Sequence, residues 1–186
     1  MKLTKLQKIA KTAERLYAVR TTEHTGYITE GHFAVRLDWF VIIQVAAKRD
    51  YEFAQSLQNL PINHSASSVQ NGKKLTNTTV EENLITNLLP EIANAVHPVI
   101  DRKLICRIDD DFAGLFTIGG SLAALKLEYT DLIADFGICT DAISSGEPGS
   151  MIVAWDSNGY VEALVMPCKA PNEEIKHSAR QVSEAA

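Results

Sequence analysis

Residues 26–47 contain the strongest pattern in the sequence, a turn followed by regular alternation of apolar and polar side chains. Glu30 and Gly31 form a turn dipeptide, and apolar side chains then fall on every second residue from Phe33 to Leu37. This alternation predicts a half-buried strand that pairs across the turn with residues 27–29. The apolar, largely β-branched run over residues 40–47 predicts a further strand with less contact with solvent. The chain is therefore expected to build an antiparallel sheet.

The first twenty residues predict an amphipathic helix over residues 3–18. Six basic residues against Glu14 give this segment a formal charge of +5, although the whole chain carries −5. Residues 21–186 therefore carry −10, and the positive charge is concentrated at one end. One arc of the predicted helix holds Leu3, Leu6, Ile9, Ala10, Ala13, Leu16 and Tyr17, and another arc holds Lys5, Lys8, Lys11 and Arg15.

The basic arc has two interpretations. Point charges along a rigid helix can bind a phosphate backbone and release its counterions. A solvated helix face can carry the same residues without binding anything. Lys5, Lys8, Lys11 and Arg15 are therefore the candidate DNA-binding residues, and the sequence leaves both interpretations open.

A length of 186 residues and a hydrophobic content of 46% are typical of a globular domain. No segment approaches the roughly 18 uninterrupted apolar residues of a membrane span, and lysines interrupt the apolar residues near the start. Cys106, Cys139 and Cys168 form no CxxC pair, which favours buried thiols in a reducing compartment. The sequence thus predicts a cytoplasmic protein without membrane attachment.

The polar stretch over residues 59–79 lacks periodicity and predicts a loop within one α+β domain that spans residues 1–170. This loop separates a first half, residues 1–58, from a second half, residues 80–170. The second half is expected to begin with a helix over residues 81–96, kinked at Pro90. Next come a strand over 103–108, a short helix over 121–127, strands over 132–139, 150–155 and 160–166, and a polar tail over 171–186. The order predicts helices packed on an antiparallel sheet, with a helix-plus-sheet pseudo-repeat.

No motif for catalysis or cofactor binding accompanies these elements. The aspartates at 109–111 could offer oxygen ligands to Mg²⁺, but consecutive strand residues point to alternate sides, so a turn is the better interpretation. The five histidines form no HxH or HExxH pair. Trp39, Phe40 and Trp155 are expected in the core rather than as platforms for bases. We therefore expect a protein that is not an enzyme and that needs neither a metal nor a cofactor.

The segment ITEGHFAVRL resembles a hairpin of the bacterial sliding clamp, the processivity factor of DNA polymerase. The family's hairpin reads TDGHRLA. The matching positions here are Thr29, Gly31, His32 and Ala34, with Glu30 in place of the aspartate.

A second segment, MIVAWDSNGYVEALVMPCKA, resembles the terminal strands of the same family. Those strands end in an apolar run followed by Met-Pro and a basic residue, here Met166, Pro167 and Lys169. Together the two segments cover 30 of the 186 residues.

The resemblance implies a clamp-like fold with basic helices against DNA and sheets on the outside. Lys5, Lys8, Lys11 and Arg15 would then contact the backbone of duplex DNA, independently of sequence and sensitively to salt. Replication proteins would be further partners. The family's chain is longer, so several copies of this one would be needed to close a ring. The segment over residues 81–96 lacks a basic face, so the second half of the chain departs from the family, whose basic helices line the ring.

An alternative function follows from the acidic remainder of the chain. The charge of −10 on residues 21–186, without any catalytic motif, also fits a small phage or mobile-element protein that binds and modulates a host protein. The two hypotheses differ in their response to salt. A DNA-binding protein loses affinity steeply as salt rises, and it is weakened by exchanging the lysines for glutamate.

Overall fold

The computed structural model describes residues 2–72, 74–80, 85, 97–108, 111–138, 142–144, 153–157 and 160–168. Helices and antiparallel strands occur together in these residues, so the predicted α+β class is confirmed. The chain divides into two compact units. The first comprises Met1–Pro90 with Val161–Ala163, and the second comprises Glu91–Tyr160 with Leu164–Ala186. None of the helices in the described ranges is long and apolar enough to cross a bilayer.

The first unit contains a sheet whose strands lie in the order β5-β4-β1-β2-β3, with each neighbouring pair antiparallel. Its helices are α1 (Lys2–Thr12), α2 (Trp39–Arg49) and α3 (Tyr51–Gln58). Its strands are β1 (Arg15–Arg20), β2 (Thr25–Thr29), β3 (Phe33–Asp38), β4 (Ser65–Asn71) and β5 (Lys74–Val80).

The hairpin predicted around Glu30 and Gly31 is confirmed by β2 and β3. Ile28 lies opposite Val35, and both side chains are fully buried. Gly31 has a φ of 107°, a left-handed conformation that glycine adopts without the steric cost of a side chain. A short local signal was sufficient here because the turn and the alternation specify the same register.

The helix predicted over residues 3–18 is wrong beyond Thr12. The last helical bond joins the Ala13 amide to the Ile9 carbonyl at 2.9 Å, and residues 15–20 form β1. β1 pairs with β2 on one side and with β4 on the other. Two ladders of backbone hydrogen bonds outweigh the helical spacing of the apolar residues. Arg15 therefore belongs to a strand and not to the basic arc of the helix.

The strand predicted over residues 40–47 is also wrong, because these residues lie in α2. Asp38 caps this helix by accepting a hydrogen bond of 2.8 Å from the Phe40 amide. The buried residues recur at helical spacing, and Phe40, expected in the core, is 65% exposed on the outer side. Tertiary burial overrides the β propensity of this run. The buried residues of α2 are Trp39, Ile42, Val45 and Ala46.

The loop predicted over residues 59–79 contains the hairpin of β4 and β5 instead. Asn71 pairs with Lys74 at the end of the ladder, and Gly72 lies in the turn between them with a φ of 63°. These strands were not predicted because their side chains are mostly polar and show no apolar alternation. β4 has the sequence SASSVQN and β5 has the sequence KLTNTTV. Ser65 and Ser68 are fully buried, and β4 is paired on both sides, with β1 and with β5.

Helices α2 and α3 cover one face of this sheet. α2 packs on β2 and β3, whereas α3 packs on β4 and β5. Asp50 joins the two layers, because it caps α3 and also accepts a hydrogen bond of 2.6 Å from Asn77 of β5. α1 packs against α2 and buries Leu6, Ile9 and Ala10.

In the second unit the strand order is β10-β9-β6-β7-β8, and residues from β6, β7 and β8 form a small core. Two predictions fail here. Residues 121–127 were expected as a helix, but the turn at Gly119 and Gly120 makes them the hairpin partner of β7. Residues 132–139 were expected as a strand, but they begin within a helix. The elements are β6 (His97–Ile108), β7 (Asp111–Ile118), β8 (Ser121–Lys126), α4 (Leu127–Asp135), β9 (Ala142–Ser144) and β10 (Val153–Ser157). The last strand, β11 (Tyr160–Val165), is divided between the units, because Val161–Ala163 belong to the first.

The predicted strands over 103–108 and 160–166 are confirmed by β6 and β11. Other predictions lie outside the described residues. These are most of the helix over 81–96, of which only Ile85 is described, the aspartates at 109 and 110, Cys139, the turn residues Asn158 and Gly159, and the tail over 171–186.

Candidate nucleic-acid interface

One side of α1 carries three lysines. Lys5, Lys8 and Lys11 are exposed, whereas Leu6 and Ile9 are buried. Neighbouring lysines are three residues apart, so each step advances about 4.5 Å along the helix axis and turns about 60° around it. The three cations therefore form a stripe about 9 Å long, which we call the lysine stripe.

The helices of the first unit carry an excess of positive charge. α1 has the sequence KLTKLQKIAKT, which contains no acidic residue. Lys11 lies in its last turn, where the helix dipole favours a cation. α2 contributes Lys48 and Arg49 in its last turn, and α3 contributes one acidic residue, Glu52. A positive surface on an acidic chain is thus a property of the helices and not of the whole molecule.

Arg15 is not part of the lysine stripe. Its neighbour Leu16 lies opposite Ser68, and Ser68 accepts hydrogen bonds from Arg49 of α2. Leu16 therefore belongs to the helix-covered face of the sheet, and strand alternation places Arg15 on the other face. There Arg15 donates a hydrogen bond of 3.0 Å to the Tyr17 hydroxyl. The structure brings the three lysines together and separates the fourth predicted residue from them.

Arg49 holds the end of α1 and was missed by sequence analysis. Its Nη1 donates to the carbonyls of Ala10 at 2.8 Å and Ala13 at 2.6 Å. Its Nη2 donates to the carbonyls of Glu14 at 3.3 Å and Ser68 at 3.0 Å, and its Nε donates to the Ser68 hydroxyl at 3.1 Å. Burial lowers the pKa of Arg49, and the neighbouring Asp50 opposes this shift. A helical interpretation of residues 39–49 would have placed Arg49 in a last turn, where arginine satisfies free carbonyls.

The carboxylates do not form a metal site in the part of the chain that is described. No group of three or more metal-ligating side chains occurs there. Asp111 opens β7 and forms an ion pair with Lys126 at 2.6 Å. His32 is exposed beside the Gly31 turn, where its amide donates to the Glu30 carboxylate at 3.0 Å.

The two tryptophans differ in burial. Trp39 is 5% exposed at the start of α2, which confirms its expected place in the core. The guanidinium of Arg20 lies 5.5 Å from the centre of its ring. Trp155 of β10 is half-buried. Trp39 is therefore enclosed and cannot stack on a base.

Cys106 and Cys168 lie in the second unit. Cys106 is buried and Cys168 is half-buried, packed against the same small core. Burial raises the pKa of both thiols; the Cys168 thiol adds to the shift at Cys106, whereas Lys126 opposes the shift at Cys168. A raised pKa favours the protonated thiol at neutral pH, and a protonated thiol is a poor nucleophile.

The lysine stripe is thus the arrangement of described side chains that best fits a polyanion. Comparison with protein-family models, with curated proteins and with solved structures gave no match to this chain.

Proposed function

We propose that this chain is a non-enzymatic, DNA-associated protein that contacts the DNA backbone through the lysine stripe. The observation that carries the proposal is the exposure of three lysines along one acid-free helix whose other side is buried. Such a surface holds its cations at fixed spacing, so binding does not require ordering a flexible segment. The lysine stripe offers single positive charges that attract phosphates. It contains no arginine, asparagine or glutamine that could form paired hydrogen bonds with the edge of a base, so the contact is expected to be independent of DNA sequence.

We further propose a sliding-clamp-like organisation with a helix-plus-sheet pseudo-repeat. The segment ITEGHFAVRL, which resembles the clamp hairpin, lies in β2, its turn and β3. The described part of the second resembling segment lies in β10, β11 and the residues that follow them. Each unit also combines a sheet with at least one helix. These features support the proposal, in which replication proteins are further partners.

We propose that several copies of this chain assemble in the clamp-like role, as a homo-oligomer. Among the described strands, β5 pairs on one side only, with β4. The other edge of an end strand presents backbone N–H and C=O groups that can pair with a strand of another copy. Light scattering of the purified protein tests this step, and a strictly monomeric mass across the concentration range contradicts ring formation.

The test of DNA contact is binding of a short duplex at about 50 and 200 mM salt. Three phosphate contacts predict about a 40-fold loss of affinity over this range, since the slope is about −0.9 per contact. Exchange of Lys5, Lys8 and Lys11 for glutamine should abolish most of this salt dependence. Arg15→Gln, on the other face of the sheet, should change the affinity by less than about twofold.

A charge-matched control separates local contact from net charge. Lys74, Lys103 and Arg107 are exposed on β5 and β6, and exchanging these three for glutamine removes the same charge as the lysine variant. If both triple variants lose affinity equally, binding follows net charge and the lysine stripe is not the interface. If the unaltered protein does not bind duplex at low salt, the alternative function becomes the better hypothesis, that of a phage or mobile-element protein that binds and modulates a host protein.

A further inference from the structure

The guanidinium of Arg49 uses all of its hydrogen-bonding capacity within the protein. An arginine side chain has five N–H donors, and Arg49 makes five hydrogen bonds, two from each terminal nitrogen and one from Nε. Four of the five acceptors are backbone carbonyls, which do not change rotamer. The group is therefore fixed in position and orientation.

These bonds join three parts of the chain. The Ala10 carbonyl belongs to α1, and the carbonyls of Ala13 and Glu14 belong to the connection that leads into β1. Ser68 belongs to β4, which is paired on both sides. The last carbonyls of a helix have no partner within the helix, so a cation at this point satisfies them and also meets the negative end of the helix dipole.

We infer that Arg49 is the positioning residue of the lysine stripe: it fixes α1 to β4 so that the three lysines meet a phosphate backbone as a rigid array. This inference rests on the proposed function. Lys11 directly follows Ala10 and Lys8 lies two residues before it, and Arg49 binds the Ala10 carbonyl at 2.8 Å. Movement of the last turn would therefore displace the C-terminal part of the stripe. Contact with DNA then depends on a residue that does not itself touch DNA.

Lysine cannot replace Arg49 in this role. An ammonium group has three donors at a single nitrogen, whereas the acceptors of Arg49 are distributed around a planar group. Arg49→Lys thus keeps the charge and loses the geometry. Arg49→Gln loses both, so the pair distinguishes positioning from electrostatic attraction. Arg36→Lys is the matched control, since Arg36 is another half-buried arginine of this unit, paired with Glu162 at 3.3 Å.

The experiment measures hydrogen exchange of the α1 amides, thermal unfolding, and duplex binding as a function of salt, for the full chain and each variant. For Arg49→Lys we expect α1 amides to exchange at least about tenfold faster relative to those of β2 and β3, which is the signature of local opening. We expect the salt slope of duplex binding to shrink by about one contact. Arg36→Lys should leave both quantities unchanged.

Three results would overturn the inference. The first is unchanged α1 exchange in Arg49→Lys. The second is weaker binding with the full salt slope, which would mean that Arg49 acts only through overall stability. The third is an Arg49→Lys variant that binds duplex as tightly as the unaltered protein while Arg49→Gln binds weakly, which would mean that the charge of Arg49 and not its geometry matters. Failure of the unaltered protein to bind duplex overturns the proposed function instead, and the exchange data still decide whether Arg49 holds α1.

A milder variant keeps the test informative if Arg49→Lys does not fold. Ser68→Ala removes the hydroxyl acceptor of Nε and leaves the four carbonyl bonds. It should shift α1 exchange in the same direction by a smaller factor. No change in exchange would contradict the anchoring role of this contact.

Discussion

The Tyr27 hydroxyl donates a hydrogen bond of 2.6 Å to the carbonyl oxygen of Val161, which lies 134 residues further along the chain. Val161–Ala163 belong to the first unit, although the rest of β11 belongs to the second. The ion pair between Arg36 and Glu162 lies in the same region. The first unit is therefore completed by residues that the chain reaches only after most of the second unit.

Tyr27→Phe should lower the free energy of unfolding by about 1 kcal/mol, because it leaves the Val161 carbonyl without this donor and keeps the ring in place. Tyr51→Phe is the control. Tyr51 is 68% exposed, so Tyr51→Phe should change the free energy of unfolding by no more than about 0.5 kcal/mol. Urea unfolding of both variants measures the difference, and equal losses would show that the buried hydroxyl does not stabilise the fold.

The two helix caps of the first unit should differ in strength. Asp38→Ala removes the cap of α2 and should cost about 1 kcal/mol. Asp50→Ala removes the cap of α3 and also the acceptor of the Asn77 amide, which is bound at 2.6 Å. It should cost about 1 kcal/mol more than Asp38→Ala. Denaturant unfolding tests this order: the midpoints of the two variants are compared, provided that the m-value is unchanged. A larger loss of unfolding free energy for Asp38→Ala would contradict the joint role of Asp50.

Gly26→Ala should be strongly destabilising. A Cβ at this position would lie 2.3 Å from the Val19 carbonyl oxygen and 2.8 Å from the Trp39 ring. The oxygen belongs to β1 and cannot move without disturbing its ladder, so we expect a loss of more than about 3 kcal/mol. Gly31→Ala meets no atom within 4 Å and bears only the cost of a positive φ, about 1 to 2 kcal/mol. Thermal unfolding of the two variants compares steric clash with backbone strain, and similar losses would contradict the close approach at Gly26.

Alkaline pH should destabilise the fold partly through Cys106. Burial, followed by the Cys168 thiol, raises the pKa of Cys106 above its ordinary value of 9.0. At pH values below the pKa of this thiol in the unfolded chain, Cys106 is protonated in both the folded and the unfolded state, and its contribution to the unfolding free energy is fully present. As pH rises, the unfolded chain loses its proton first, so the contribution is lost by the time pH exceeds the folded pKa.

The unfolding free energy should therefore fall more steeply between about pH 8 and 10 in the unaltered protein than in Cys106→Ala. The comparison concerns the two slopes, since the alanine variant also loses packing at every pH. Parallel curves would show that the thiol titrates normally in the folded state.

The parts of the fold that the sequence predicted are those decided by neighbouring residues. The Gly31 turn and the alternation after it act over about ten residues, and β2 and β3 form there. Residues 39–49 resisted prediction because their β-branched content favours a strand. The cap at Asp38 and the burial of Trp39 and Ile42 favour a helix, and this burial comes from packing on β2, β3 and the other two helices, which the local β propensity does not reveal.

The lysine stripe was predictable for the same local reason. Lys5, Lys8 and Lys11 share one helix, so their periodicity is visible in the sequence. Arg15 was misplaced because the helical spacing of the apolar residues extends into β1, whose strand conformation is set by pairing with β2 and with β4, about fifty residues away. Arg49 was missed for a similar reason, since its acceptors at Ala10 and Ser68 come from separate regions of the chain.

Completion of the first unit by Val161–Ala163 has a consequence during biosynthesis. When a ribosome has added Pro90, about 70 further residues must be added before these three are available, which takes roughly 4 to 14 s at bacterial and eukaryotic rates of translation. Through that interval the nascent sheet lacks the partner of the Tyr27 hydroxyl. Chaperone capture and premature aggregation compete with folding in this period, so codon changes that slow translation between residues 91 and 160 would lower the soluble yield without altering a single amino acid.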